Sequence, residues 1–63
     1  MNDTARPKWE EDGTPEHAAY RNAHEQVTEY VLYDGPVPVM PSGYSDAEVE
    51  AWEAGYEQGL MDV

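Results

Sequence analysis

The chain has 63 residues, no cysteine and a formal net charge of −11, from three basic and fourteen acidic side chains. This length limits it to one domain, and the lack of cysteine excludes disulfides, thiolate catalysis and Cys-ligated zinc. The charge disfavours direct binding to nucleic acid, because phosphate contacts need Lys and Arg. We expect a cytoplasmic protein without a membrane association, since no apolar run approaches the roughly 20 residues of a membrane span and no signal-peptide core is seen.

Large aliphatic side chains are scarce, and aromatic ones partly replace them. Val, Leu, Ile and Phe together supply 8 of the 63 residues, whereas seven residues are Trp or Tyr. These rings combine an apolar body with a polar tip, which suits interfaces better than a dry core. A domain this short also buries only roughly 60% of its unfolded surface. A homodimer or a bound partner would therefore add burial that the single chain lacks.

Residues 1–13 are polar, interrupted by Pro7 and closed by Gly13. This composition predicts a flexible, irregular N-terminal arm. Trp9 is the residue in it that could anchor the arm, either onto the domain or onto a partner.

The next segment predicts a helix over residues 15–33. Thr14 is the expected N-cap, Pro15 suits the first helical position, and Gly35 is the expected stop. A period of 3.6 residues gathers an apolar face and sets Asn22 on the opposite, polar side. The apolar face consists of Ala19, Tyr20, Ala23, Val27, Tyr30 and Val31. The β-forming residues 30–33 leave a strand as the alternative for the last turn.

Residues 36–44 contain three prolines and a glycine, which predicts an extended connector. We expect it to let a second helix fold back on the first as an antiparallel hairpin. The predicted fold is therefore all-α, with residues 14–63 forming one small helical domain.

The second helix is predicted over residues 46–60, after a capping box formed by Ser45 and Glu48. Its spacing gives an apolar stripe and, beside it, an acidic row at i, i+3 and i+7. The stripe consists of Val49, Trp52, Tyr56 and Leu60, and the acidic row consists of Glu50, Glu53 and Glu57.

Small residues recur at every fourth position of this helix, at Ala47, Ala51, Gly55 and Gly59. Glycine costs roughly 1 kcal/mol relative to alanine inside a helix. Two interpretations stay open: a glycine ends the helix early, or the row allows another backbone to approach closely.

Few residues could carry chemistry. His17 and His24 share a helix face, but Arg21 lies between them and opposes a metal cation. Paired carboxylates act as acid and base only in a cleft that shifts their pKa values, and two helices leave little room for one. We therefore expect no enzyme activity, no cofactor and no metal.

In size, acidity, lack of cysteine and aromatic content, the chain resembles small phage-encoded proteins that inhibit host or defence enzymes. These include DNA mimics such as uracil-glycosylase inhibitor and several acidic anti-CRISPR and anti-restriction proteins. The resemblance covers the character of the whole chain and no signature motif, so it transfers no residue roles. It implies an inhibitor that acts in the host cytoplasm.

Three hypotheses about function follow. In the first, an acidic inhibitor binds a basic, nucleic-acid-binding protein through Glu50, Glu53 and Glu57, with Trp52 and Tyr56 at the edge. In the second, an assembly or adaptor module self-associates or docks through the apolar stripe that includes Val49 and Leu60. The third is a largely disordered acidic peptide that folds on binding, against which the capping box and the matched apolar faces argue.

Overall fold

The computed structural model describes residues 8–63, so the first half of the predicted N-terminal arm lies outside the described residues. It contains a 3₁₀ turn, Lys8–Glu10, and two α-helices, α1 (Pro15–Tyr33) and α2 (Asp46–Asp62). The two helices pack against each other, and no strand occurs within residues 8–63. The prediction of an all-α protein with two packed helices is confirmed. The second helix is longer than predicted, since it ends at Asp62 rather than at residue 60.

Both helices begin at the predicted caps. The Thr14 hydroxyl accepts a hydrogen bond from the His17 N–H at 3.0 Å, and it donates one to the Glu11 carbonyl at 2.8 Å. At α2, the Ser45 hydroxyl accepts from the Glu48 N–H at 3.3 Å, and the Glu48 carboxylate accepts from the Ser45 N–H at 2.8 Å. These bonds satisfy backbone donors that the first helical turn leaves unpaired.

The end of α1 differs slightly from the prediction. The left-handed residue that ends the helix is Asp34, with φ 58°, one position before the expected Gly35. The backbone N–H groups of both residues donate to the Glu29 carbonyl. Aspartate enters the left-handed region more readily than most residues, so the chain turns here without needing glycine. Residues 30–33 are helical, which removes the strand alternative for them.

The connector between the helices runs back along α1. The Val39 N–H donates to the Gln26 side-chain oxygen at 2.9 Å, and the Gln26 amide donates to the Val39 carbonyl at 3.0 Å. This pair of bonds fixes the extended chain beside the middle of α1, two turns before that helix ends. The connector has therefore already reversed direction by Val39.

The contacts between α1 and α2 show the relative direction of the helices. Gly55 lies against the Tyr20 backbone, and Gly59, one turn later, lies against His24 and Val27. Contacts thus advance in the same sense along both helices, so the helices run in the same general direction rather than antiparallel as expected.

The length of the connector explains the difference. The 12 residues between the helices, 34–45, reach about 37 Å at about 3.1 Å per residue. The 19-residue α1 is only about 28 Å long. The connector can therefore carry the chain back to the start of α1 before α2 begins, whereas the antiparallel prediction assumed that it merely reversed the chain.

The core consists of small side chains on both helices. From α1 it includes three residues of the predicted face, and from α2 three of the four small residues together with one indole. These buried residues are Ala19, Ala23, Val27, Ala51, Trp52, Gly55 and Gly59. The glycines do not end α2 early. Instead, they let the two helix backbones approach closely.

The closest approach is at Gly55. A Cβ atom added there would collide with the Tyr20 carbonyl oxygen and lie 3.0 Å from the carbonyl carbon. Backbone atoms cannot rotate away as a side chain can, so the helices would have to separate. At Gly59 an added Cβ would lie 3.0 Å from the Val27 Cβ, which is tight but meets a side chain.

Replacing Gly55 by alanine tests this contact. In an isolated helix Gly→Ala gains roughly 1 kcal/mol, but here overpacking should reverse the sign and destabilise the protein by about 1–3 kcal/mol. Urea unfolding followed by circular dichroism measures the change. The control is Ala47→Gly, at an exposed position in the first turn of the same helix, which should cost at most roughly 1 kcal/mol, the propensity difference in a helix interior. A Gly55→Ala protein that is more stable than the parent would contradict the close contact.

Candidate functional site

An acidic ridge, defined as Glu50, Glu53 and Glu57, lies along the outside of α2. All three residues are exposed, as the spacing predicted. Among the side chains of residues 9–63, no cationic group forms an ion pair with any of them. Arg21 pairs instead with Glu25 on α1, at 3.4 Å. No described cation therefore neutralises the negative potential of the ridge through an ion pair.

A shallow groove of about 280 Å³ borders the ridge. Glu53 and Glu57 line it together with Met40 of the connector and two aromatic residues, Trp52 and Tyr56. Carboxylates and apolar surface therefore meet along one side of α2. The sequence predicted the ridge and the aromatic residues as neighbours, but it did not predict that Met40 would join them.

Trp52 has a different position from the one expected at the edge of a binding surface. Its side chain is 6% exposed, and its Nε1–H donates to the Asn22 side-chain oxygen at 3.0 Å. The same oxygen accepts from the Gln26 amide at 2.6 Å. Trp52 is thus held inside the domain, and it offers almost no surface to a partner.

The network also corrects the expectation for Asn22. The helical period put this residue on the solvent side of α1, but the connector and Trp52 cover that side, and Asn22 is half-buried. The indole, Asn22, Gln26 and Val39 form one chain of hydrogen bonds that joins α2 to α1 and to the connector. The residues around Asn22 do not predict this role, because its partner Trp52 is 30 residues away in the sequence.

The other predicted site residues are more accessible than Trp52. Tyr56 is half-buried, with its ring centroid 5.6 Å from that of Trp52 and an interplanar angle of 35°. Val49 is half-buried as well, and Leu60 is 48% exposed. The apolar stripe is therefore divided between the interior and the surface. Its role in binding a partner stays a prediction.

The described part of the predicted arm, residues 8–13, is anchored onto the domain. Trp9 is half-buried and packs against the core, and its carbonyl accepts a hydrogen bond from His17 Nδ1 at 2.8 Å. The other ring nitrogen of His17 lies 3.3 Å from the Asp12 carboxylate. Of the two anchors considered for Trp9, the structure shows the one on its own domain.

The two histidines serve separate contacts. Whereas His17 holds the N-terminal segment, His24 Nε2 donates to an Asp62 carboxylate oxygen at 2.8 Å and so connects α1 to the end of α2. The Gln58 amide donates to the other oxygen at 2.9 Å. In the described part of the chain, no three metal-binding side chains gather in a geometry that could hold an ion.

Local surroundings shift the pKa values of Asp62 and of two tyrosines. The hydrogen bonds from His24 and then from Gln58 lower the pKa of Asp62 below its usual value of 3.8. Burial raises the pKa of Tyr20, and the negative charges of Asp62 and Glu10 raise it further. Burial and the charge of Glu48 raise the pKa of Tyr44. Each of these shifts follows from burial, a hydrogen bond or a neighbouring charge that the structure shows.

The comparisons with known proteins add no relationship: no protein-family model, curated protein or solved structure matches this chain. No helix within residues 8–63 has the length and apolar character needed to cross a bilayer. The function must therefore be argued from the surface of the molecule itself.

The contact between His24 and Asp62 gives a test by titration. The pKa of Asp62 is lower in the folded than in the unfolded state. Its contribution to stability is therefore present at pH values above its unfolded-state pKa and is lost as the pH falls through its folded-state pKa. We expect carboxyl-carbon NMR to place its midpoint below 3.8. In His24→Ala the midpoint should move up toward that value.

The matched control is His17→Ala, which removes the other histidine and should leave the Asp62 titration in place. An unchanged Asp62 midpoint in His24→Ala would show that the contact between the helices is absent in solution.

Proposed function

We propose that this protein is a small acidic inhibitor that occupies a basic, nucleic-acid-binding surface of another protein. The observation that carries the proposal is the acidic ridge on α2, whose three exposed carboxylates form no ion pair with a cationic side chain of residues 9–63. Carboxylates that are not neutralised by their own chain can attract a basic partner and select its orientation. No enzyme activity and no cofactor are part of this proposal.

The spacing of the ridge supports imitation of a phosphate backbone. Successive carboxylates are three and four residues apart, which corresponds to about 4.5 and about 6 Å along the helix axis. One strand of DNA carries a phosphate about every 3.4 Å of axis. The two charge densities agree within a factor of two, so Lys and Arg side chains arranged for nucleic acid could meet the ridge.

The groove beside the ridge adds apolar contact surface to the charge of the ridge. Tyr56 and Met40 are half-buried there, next to Glu53 and Glu57. An arginine of the partner could place its guanidinium against a carboxylate and its stem against this apolar surface. This combination supports specific binding rather than general attraction between opposite charges.

Burial of Trp52 weakens the alternative hypothesis of docking through the aromatic face of α2. The strongest anchor of that face is already used inside the domain. Replacing Trp52 by alanine would therefore damage the fold before it could report on any interface.

The ridge is tested by the triple substitution Glu50→Gln, Glu53→Gln and Glu57→Gln. The protein and this variant are immobilised and used to capture partners from a bacterial lysate at about 0.05 M and about 0.5 M salt, since high salt screens exposed charges. We expect the parent to capture a nucleic-acid-binding protein that high salt or added DNA releases. The variant should capture about tenfold less, because each rim charge contributes up to roughly 1 kcal/mol.

The control is Glu11→Gln, Glu25→Gln and Glu29→Gln, which changes the net charge equally at exposed positions elsewhere. Equal loss of binding in both triple variants would show that only total charge matters. A partner that neither salt nor DNA displaces would contradict the proposal.

A further inference from the structure

The chain contains two Asp-Gly pairs, Asp12–Gly13 and Asp34–Gly35. In such a pair the glycine nitrogen can attack the side-chain carboxyl carbon of the aspartate and close a five-membered succinimide ring. Glycine favours this reaction because it has no Cβ atom to shield its nitrogen or to restrict its backbone. The fold decides whether the nitrogen and the carboxyl group can meet, and it holds the two pairs differently.

The Asp34–Gly35 pair is held closed by the end of α1. The backbone N–H groups of both residues donate to the Glu29 carbonyl, that of Gly35 at 3.0 Å. A Cβ atom added at Gly35 would lie 3.2 Å from the same carbonyl oxygen, so this glycine is packed against the helix. Its nitrogen can attack the Asp34 carboxyl group only after these bonds break and the helix end opens locally.

The Asp12–Gly13 pair is open by comparison. It lies in the turn between the 3₁₀ turn and α1, and Gly13 is exposed with φ 85°. The Gly13 N–H makes no hydrogen bond to an acceptor within residues 8–63. A Cβ atom added at Gly13 would meet no atom of the described residues within 4 Å, apart from its chain neighbours. The nitrogen of this glycine is therefore accessible.

The carboxyl group of Asp12 is accessible as well. Its side chain is 95% exposed, and its contact within the described residues is with His17 Nε2 at 3.3 Å. An exposed contact of this kind between charged groups restrains a side chain weakly. The carboxyl group can therefore rotate toward the Gly13 nitrogen without opening a helix.

We propose that Asp12 is a site of spontaneous modification to isoaspartate, whereas Asp34 is protected by the end of α1. In the first step Cγ of Asp12 forms a bond to the Gly13 nitrogen. One carboxylate oxygen leaves as water, together with the amide proton and one proton from the solvent. The proposal does not involve the acidic ridge and does not rest on the proposed inhibitor function.

Hydrolysis of the ring completes the modification. Water attacks the former main-chain carbonyl carbon of Asp12, and the bond from this carbon to the Gly13 nitrogen breaks. The main chain then continues through the Cβ and Cγ atoms, and the former main-chain carbonyl becomes a carboxylate. One water is released and one is consumed, the solvent proton is returned, and no other reactant is needed.

The modification changes how residues 8–13 are attached. It adds one methylene to the main chain inside the turn that the Thr14 hydroxyl closes on the Glu11 carbonyl, at 2.8 Å. It also removes the side-chain carboxylate that contacts His17. Trp9 precedes this turn and packs against the core. We therefore expect isoaspartate at position 12 to loosen the contact of Trp9 with the domain.

The site is tested by incubating the folded protein for several weeks at neutral pH and body temperature. Trypsin separates the two pairs, because Arg21 lies between them. Isoaspartate in each peptide is measured by electron-transfer fragmentation and by methylation with an isoaspartyl methyltransferase. The variant Asp12→Glu keeps the charge but cannot form the five-membered ring, and Asp34→Glu is its matched control. A sample unfolded in guanidinium shows the reactivity of each pair without the fold.

We expect isoaspartate to form at position 12 at least about tenfold faster than at position 34, because two hydrogen bonds protect the second pair. Asp12→Glu should abolish most of the methylation and Asp34→Glu almost none. In guanidinium the two pairs should react at similar rates. Absence of isoaspartate at position 12, faster formation at position 34, or the same preference in the unfolded chain would overturn the proposal.

The consequence for Trp9 is measured on the modified protein after chromatographic separation. We expect the indole N–H resonance of Trp9 to move toward that of an exposed indole. The resonance of Trp52, whose indole N–H is bonded to Asn22, should not move and serves as the internal control. An unchanged Trp9 resonance would contradict the predicted loosening.

Discussion

The contact between Gly55 and the Tyr20 backbone is the constraint on which the rest of the structure depends. There is no room for a Cβ atom at this point, so the two helices approach as closely as their backbones permit. The remaining core is made of side chains that fit the same narrow interface, chiefly Ala19, Ala23 and Ala51. A chain with so few large aliphatic residues thereby obtains a packed core from backbone contact and dispersion rather than from bulky side chains.

This close packing decides which side chains remain outside. Because small residues occupy the interface, the indole of Trp52 lies at its margin and is held by Asn22 under the connector. The connector can cover this side since its bonds to Gln26 fix its path. The acidic ridge stays exposed on the outside of α2, where Glu53 and Glu57 border the groove that they form with Trp52 and Met40. Apolar side chains remain exposed near the ends of both helices. Exposed groups of different chemistry thus result from one packing arrangement.

Local features of the fold could be predicted from the sequence, whereas its long-range features could not. The bounds of α1, the Thr14 cap and the Ser45–Glu48 capping box depend on neighbouring residues, and all were predicted. The direction of α2 depends on how the connector folds, and a Pro-rich segment of 12 residues is compatible with either direction.

The candidate site shows the same division. Exposure of the acidic ridge was predicted from its spacing. The apolar period, however, indicated Trp52 and Tyr56 rather than the glycines as the residues that contact other elements. A hydrophobic pattern does not identify Gly55 and Gly59 as core residues, because they contribute to helix packing through their small size. The network of Asn22 and Gln26 was missed for a related reason, since it joins residues that only the fold brings together. No motif marks the function, which therefore rests on surface chemistry.

The relative direction of the helices is the central claim, because the contacts of the core and the burial of Trp52 depend on it. Solution NMR tests it most directly, through nuclear Overhauser contacts from the Hα protons of Gly55 and Gly59. The structure predicts contacts from Gly55 to Tyr20 and from Gly59 to the Val27 methyl groups. Contacts from Gly59 to Glu16, one turn before Tyr20, would instead show an antiparallel pair and would contradict the account.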